Sequence, residues 1–276
     1  MLNENASEYV SRLYNENKLK LKQVNNKYAT LEEIPEELSI IKTVQRFFDS
    51  IFFHSCREYI LQKGAVLTRV VGVDHCDVNR IIPKKEFCTA NRMNPKDKFY
   101  GYYILDYCGQ TRDQRIKTGI KEIRAEKMEE VSSCEFAVVN KKLKLARFIM
   151  DTKLQLNIEN NSMLDDLKKI KFYYNIPGGK KGKDTIGQIY GFNLMVKTVV
   201  ESDMFGIVNG DEEREYHYAP FRYIADFLER KGYDGVLYQS TVDLNGYCVA
   251  IFKPEYIEAI GETLLCNIQV NKVLEV

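Results

Sequence analysis

The sequence predicts an α+β protein, and three observations carry that expectation. Apolar residues recur at helical spacing early in the chain, in ELSIIKTVQRFFDSIFFHSCREYILQ (37–62). β-branched and aromatic runs gather later, as AVLTRVVGV (65–73), CEFAVV (134–139), LKLARFIM (143–150), DGVLYQS (234–240) and YCVAIF (247–252). Helical patterns fall among these runs without regular alternation, which argues against a doubly wound parallel sheet.

In chain order, IPEE places acids at the start of the first helix, where the positive end of the helix dipole favours them. Ile40, Ile41, Val44, Phe47, Phe48, Ile51 and Phe52 form its buried stripe, and Gly64 ends it. Residues 1–62 are therefore expected to form a helical cap, and 63–276 the main domain. In QRIKTGIKEIRAEKMEEV, Ile116, Ile120 and Ile123 share one helical face. YAPFRYIADFLERKGY (218–233) is an amphipathic helix stopped by Gly232, a C-cap residue. DGVLYQS and YCVAIF follow as a β-pair around a loop with Gly246, and the tail reads as extended. Residues 151–215 mix polar helical segments with a Gly/Lys stretch and read as an insertion.

Composition removes several function classes. Lys plus Arg number 40 against 39 Asp plus Glu, so charge gives no drive toward nucleic acid or anionic lipid. The 7 cysteines are irregularly spaced with no CxxC, which reads as reduced thiols in a cytoplasmic protein. The start lacks an apolar signal core, and no window approaches the roughly 18 apolar residues of a membrane helix.

Several motifs look chemical at first sight. GGKKGKDT (178–185) fails as a phosphate loop: Pro177 and Asp184 stand where the pattern needs Gly and Ser/Thr. It reads as a solvated loop. DHCD (74–77) has no second ligand cluster, since His54 and His217 stand alone, so no metal is expected. Glu122 among helix charges reads on its own as solvated. Arg69 sits in an apolar strand, where alternation can turn it outward. Ser240 ends a strand where serine is common, and Tyr100 can be plain core. In TANRMNPKDKFYGYY (89–103), Arg92 is followed by the aromatics Phe99, Tyr100, Tyr102 and Tyr103.

Taken in order, these pieces resemble the RES domain family over about residues 65–255. The family pattern has a strand arginine, here Arg69 in LTRVVGV, then an Arg–x–Asn–Pro stretch leading to a tyrosine, here NRMNP with Arg92 and Tyr100. A helix with the family glutamate follows, here TGIKEIR with Glu122. The pattern closes on Gly-Tyr-Asp-Gly-Ile-x-Tyr-x-Ser, here GYDGVLYQS with Ser240, then Gly-x-Asn-x-Val-Leu-Phe, here GYCVAIF. Phe221 and Arg222 replace the family's Thr-Gln, and Cys248 replaces the late asparagine.

The resemblance implies an ADP-ribosyltransferase-like fold, with a mixed β core and surrounding helices. It also implies consumption of NAD, as a toxin paired with an Xre-type antitoxin. Such chemistry needs cations for a pyrophosphate, flat rings for a flat heterocycle, and a carboxylate beside a ribose carbon that becomes positive. On this reading Arg69 and Arg92 grip phosphate or ribose and Tyr100 lines the nicotinamide pocket. Glu122 stabilises the cation or fixes a hydroxyl, and Ser240 bonds near the same ribose. NAD is substrate, no metal or further cofactor is required, and the acceptor stays open between water, phosphate and a protein side chain. Two alternatives stand beside NAD degradation: ADP-ribosylation of a protein target, and a non-catalytic module docking through the aromatic helix. A homo-oligomer stays open as well.

Overall fold

The computed structural model describes residues 44, 48, 58–72, 78–85, 94, 98–125, 130–149, 156, 163–200 and 211–267. For Arg80, 198–200, 211–217, 219–220 and 263–267 it describes backbone alone. Arg92, the DHCD stretch, His54 and Phe47 lie outside the described residues, as does most of 37–57. The chain divides into two compact units. One is 1–57 with 148–227, and the other is 58–147 with 228–276.

The second unit holds an eight-stranded sheet. Its strands are β1 (Glu58–Leu61), β2 (Val66–Val71), β3 (Gly101–Leu105), β4 (Glu130–Val138), β5 (Leu143–Phe148), β6 (Gly235–Gln239), β7 (Tyr247–Ile251) and β8 (Ile257–Asn267). Their spatial order is β1-β5-β6-β7-β3-β2-β4-β8. The β1–β5, β2–β3, β2–β4, β3–β7, β4–β8 and β6–β7 pairs are antiparallel. The short helix α1 (Val78–Ile81) and the helix α2 (Arg112–Glu122) fall between strands. The architecture is α+β, as the irregular order of elements predicts. One expectation is corrected: the helix drawn through residue 62 gives way by Glu58, where EYIL pairs with β5 as a strand.

α2 starts at a capping box. The Thr111 side chain accepts from the Gln114 N–H, and the Gln114 side chain accepts from the Thr111 N–H. It ends on a Schellman motif, with the Ala125 N–H on the Ile120 carbonyl and the Arg124 N–H on that of Lys121. Arg124 takes the left-handed position, φ 54°, that glycine usually fills. Gly119 lets the helix lie close on β2, since a Cβ there would meet Val70 Cβ at 2.9 Å. Ile116, Ala125, Val70 and Val131 bury the contact.

The first unit contains α3 (Met163–Tyr173), α4 (Lys180–Val200) and most of α5 (Asp211–Arg230), whose last turn belongs to the sheet unit. Ile170, Ile176, Ile186, Ile189 and Tyr190 form a core there. Burial, with Asp166 nearby, pushes the Tyr190 phenol up to about 12. The solvated loop expected over 178–185 is confined to Gly178–Gly179, because α4 begins at Lys180. Gly182 makes this start feasible: its bare Cα lies against the Pro177 carbonyl, where any side chain would collide.

Candidate functional site

Strand alternation sorts the sheet into two faces. The Thr68 hydroxyl accepts from Arg115 Nε of α2 at 2.9 Å, and Val70 lies under Gly119, so these even positions of β2 face the helix. Register carries the same face to Ile104 on β3, Cys248 on β7 and Tyr238 on β6. Leu67 and Arg69 point the other way.

Glu122 is the last residue of α2 and half-buried. The Cys248 thiol donates to its Oε1 at 3.5 Å. Ser240 follows β6 and is 1% exposed, with its N–H on the Gly246 carbonyl. Its hydroxyl accepts the backbone N–H of Asp243 at 3.0 Å and of Val242 at 3.3 Å. The Asp243 carboxylate then reaches α2: Thr118 Oγ1 donates to it at 2.6 Å, and Lys121 Nζ sits 3.2 Å away. The structure therefore ties the helix bearing Glu122 to the loop bearing Ser240. Strand geometry places the Ser240 and Cys248 Cα atoms about 8 Å apart, given the Ser240–Gly246 pairing and one two-residue step. Gly246 has no room for a side chain, because a Cβ would fall on Thr118. Burial works to raise the Asp243 carboxyl, but the Thr118, Lys121 and Asn245 contacts prevail and hold it below the usual carboxylate value.

The other candidates stand apart from this pair. Arg69 Nη1 donates to the Tyr102 carbonyl at 3.0 Å, and its guanidinium lies 5.9 Å from the Tyr103 ring centre. Burial pushes the Tyr103 phenol up to about 12, with Arg69 pulling slightly against it. Alternation puts Arg69 on the face opposite α2. Tyr100 is 2% exposed, its ring on Phe252 at 4.7 Å and its hydroxyl 3.0 Å from Glu229 Oε2. It lies four positions before Ile104, about 13 Å along an extended chain. Its N–H is bound by the Asn94 side chain, and Lys98 joins the same Glu229 at 2.6 Å. Arg92 lies outside the described residues.

A cleft of about 480 Å³ opens beside Tyr100's partner Glu229, lined by Lys98, Lys141, Arg230 and Lys253, by Glu229 and Asp234, and by Gly232 and Tyr233. Four cations face two carboxylates there. Gly232, Tyr233 and Asp234 of the GYDG motif form one wall, and each of the three is structural. Gly232, φ 79°, closes α5 in a Schellman turn, with the Tyr233 N–H on the Leu228 carbonyl. Tyr233 bonds Glu58 through its hydroxyl at 3.0 Å. Asp234 accepts the Lys144 N–H at 2.8 Å and Lys141 Nζ at 2.7 Å.

Sequence reasoning missed Asp243, Cys248 and Arg115. Arg115 is 7% exposed and joins Thr68, the Gln110 carbonyl at 2.8 Å and Glu135 at 2.7 Å. The only sequence signal for any of the three was Cys248 standing where the RES pattern has asparagine. Among the described residues no group of three or more His, Cys, Asp or Glu is placed to hold a metal, and no helix is long and apolar enough to cross a membrane.

An antiparallel-rich sheet crossed by α2, with a carboxylate at that helix's end and a serine beyond the neighbouring hairpin strand, defines an α+β protein with a compact polar corner. Residues 198–265 match the family model "RES domain", so the resemblance read from the sequence is shown over that stretch. No curated protein matches the chain in sequence. Among solved structures, a chain in "Crystal structure of the M.tuberculosis MbcT-MbcA toxin-antitoxin complex" is similar at 11% identity and TM-score 0.41, covering 84% of this chain and 97% of that one.

Proposed function

We propose that this chain cleaves the nicotinamide–ribose bond of NAD and acts in the cytoplasm as a growth-arresting toxin or anti-phage effector, restrained by an Xre-type antitoxin. The carrying observation is the RES match over 198–265, which contains Ser240 and Cys248, combined with the 3.5 Å contact that joins Cys248 to Glu122. In the proposed reaction the C1′–N bond breaks and its electron pair neutralises the pyridinium nitrogen, releasing nicotinamide. Positive charge develops at the sugar carbon. The Glu122 carboxylate stabilises that charge or fixes a ribose hydroxyl, and Ser240 orients the same sugar. An oxygen nucleophile forms the new C1′–O bond and gives up its proton to solvent. By resemblance, Arg92 is assigned to the pyrophosphate; Arg69, on the sheet face opposite α2, and Tyr100, packed on Phe252 and Glu229, stand away from the reacting sugar and take no part in this step. NAD is the substrate, and no further cofactor is invoked.

The test is direct. Purified protein is mixed with NAD, and free nicotinamide and the sugar product are followed by chromatography, with Glu122→Gln beside wild type. The expected result is nicotinamide release that falls by at least about a hundredfold in the variant, the scale of one lost electrostatic group. Hydrolysis yields ADP-ribose, and phosphorolysis consumes inorganic phosphate. Labelled NAD marking a protein band, with little free ADP-ribose, identifies the ADP-ribosyltransferase alternative. Intact NAD under all conditions overturns the proposal.

A further inference from the structure

We propose that Cys248 is a positioning residue whose thiol holds Glu122 in its working orientation; the inference rests on Glu122 being the working carboxylate. Cys248 lies mid-sheet, registered with Ile104 on β3 and Tyr238 on β6, and is 3% exposed. Its Sγ is therefore anchored by backbone pairing on both sides. Glu122 is the opposite case: a side chain with three rotatable bonds at the end of a helix. That end carries the negative pole of the helix dipole, which disfavours a carboxylate. The neighbouring Lys121 offers no help, because its ammonium turns to Asp243 at 3.2 Å.

The contact that orients Glu122 is the 3.5 Å Cys248 Sγ to Oε1 bond, which leaves Oε2 without a hydrogen bond among the described residues. One oxygen is held, and the proposal assigns the other to a sugar hydroxyl or a developing cation. The RES pattern carries asparagine here, and an amide N–H and a thiol S–H share one property, donation to a carboxylate. A buried cysteine serving only as a small apolar filler would not need that property.

The contact itself is tested spectroscopically. Hydrogen bonding lowers the S–H stretching frequency, so infrared difference spectra of wild type minus Cys248→Ser should show a red-shifted band for this thiol. The band should move up in Glu122→Ala. A band unchanged by Glu122→Ala overturns the proposal whatever the activity.

The function is tested by Cys248→Ala, Cys248→Ser and Cys248→Asn in the nicotinamide-release assay. Cys248→Ala should lose about tenfold in kcat with KM within about twofold, because the group acts through Glu122 and not on substrate. Cys248→Ser keeps the donor in a similar volume and should stay within about threefold of wild-type kcat. Cys248→Asn should behave likewise if it folds, and the serine–alanine comparison decides if it does not. Wild-type kcat in Cys248→Ala, with Glu122→Gln inactive, refutes the positioning role and leaves the function standing. Wild-type release from Glu122→Gln refutes both.

Discussion

Replacing Asp243 by alanine removes the link between α2 and the β6–β7 loop, and the cost can be worked from three contacts. The buried Thr118 hydroxyl donates to Asp243 at 2.6 Å. A hydrogen bond to a charged group contributes roughly 1.5–3 kcal/mol. Thr118 retains a second acceptor, the Gln114 carbonyl at 3.1 Å, so its hydroxyl is not orphaned and the lower half of that range applies. The Lys121 pair is half-exposed and adds at most about 1 kcal/mol. The sum is about 2 kcal/mol, a fall of roughly 4–8 °C in Tm. Asp243→Asn keeps an acceptor for Thr118 and loses the charge, so about half of this is expected. The pH dependence has a definite sign. Although burial alone would raise it, the Asp243 carboxyl sits below its ordinary value in the folded protein. Its contribution is therefore present above about pH 3.9 and is lost as pH falls through the lower folded value. Urea titrations of wild type, Asp243→Ala and Asp243→Asn across pH 2–7, about the range that spans this loss, measure both effects. The asparagine profile should be the flatter one at the acid end. Equal melting of Asp243→Ala and wild type, with superimposable acid limbs, refutes the reasoning.

Two further substitutions probe the scaffold. Gly235→Ala forces a Cβ onto the Ala250 carbonyl of the paired strand and to within 3.0 Å of Leu145 Cδ2, where backbone cannot yield without parting β6 from β7. It should cost about 3 kcal/mol in urea denaturation, and a loss below about 1 kcal/mol contradicts the close approach. Arg124→Gly should stabilise by about 0.5–1 kcal/mol, since φ 54° burdens every residue except glycine. A thermal melt at or below wild type would show that the arginine side chain offsets its own strain.

The legible parts of this protein are those written in consecutive residues. The strand runs, the α2 periodicity and the Gly232 stop all appear in the fold because alternation, 3.6-residue spacing and a left-handed cap are local properties. GYDG was legible as a signature but not as a mechanism. Its Asp234 clasps β5, and Gly235 fits where only a hydrogen fits, facts that need the partner strands. EYIL read as the end of a helix because the preceding apolar spacing runs into it, and pairing with β5 decides otherwise. GGKKGKDT read as a loop by composition, while Gly182 packs its bare backbone against Pro177 in the first turn of α4. The site suffers most from this limit. Thr118 and Asp243 lie 125 residues apart, and Glu122 and Cys248 lie 126 apart, so no local pattern joins them.

Those long-range ties also explain why a carboxylate can be placed at the unfavourable end of a helix. α2 is fixed near its start by Arg115, whose guanidinium reaches Thr68 of β2, Glu135 of β4 and the Gln110 carbonyl. It is fixed past mid-length by Thr118 on Asp243 and by the Gly119 approach to Val70, and near its end by Lys121 on the same carboxylate. A helix pinned at three levels cannot swing or fray to relieve the dipole's repulsion of Glu122. The repulsion is met by a donor on the sheet, and the carboxylate stays at a set point beside the Ser240 loop. In the proposed reaction, stabilising a sugar cation demands preorganisation of this kind, because a carboxylate free to reorient would lose most of its effect to that motion.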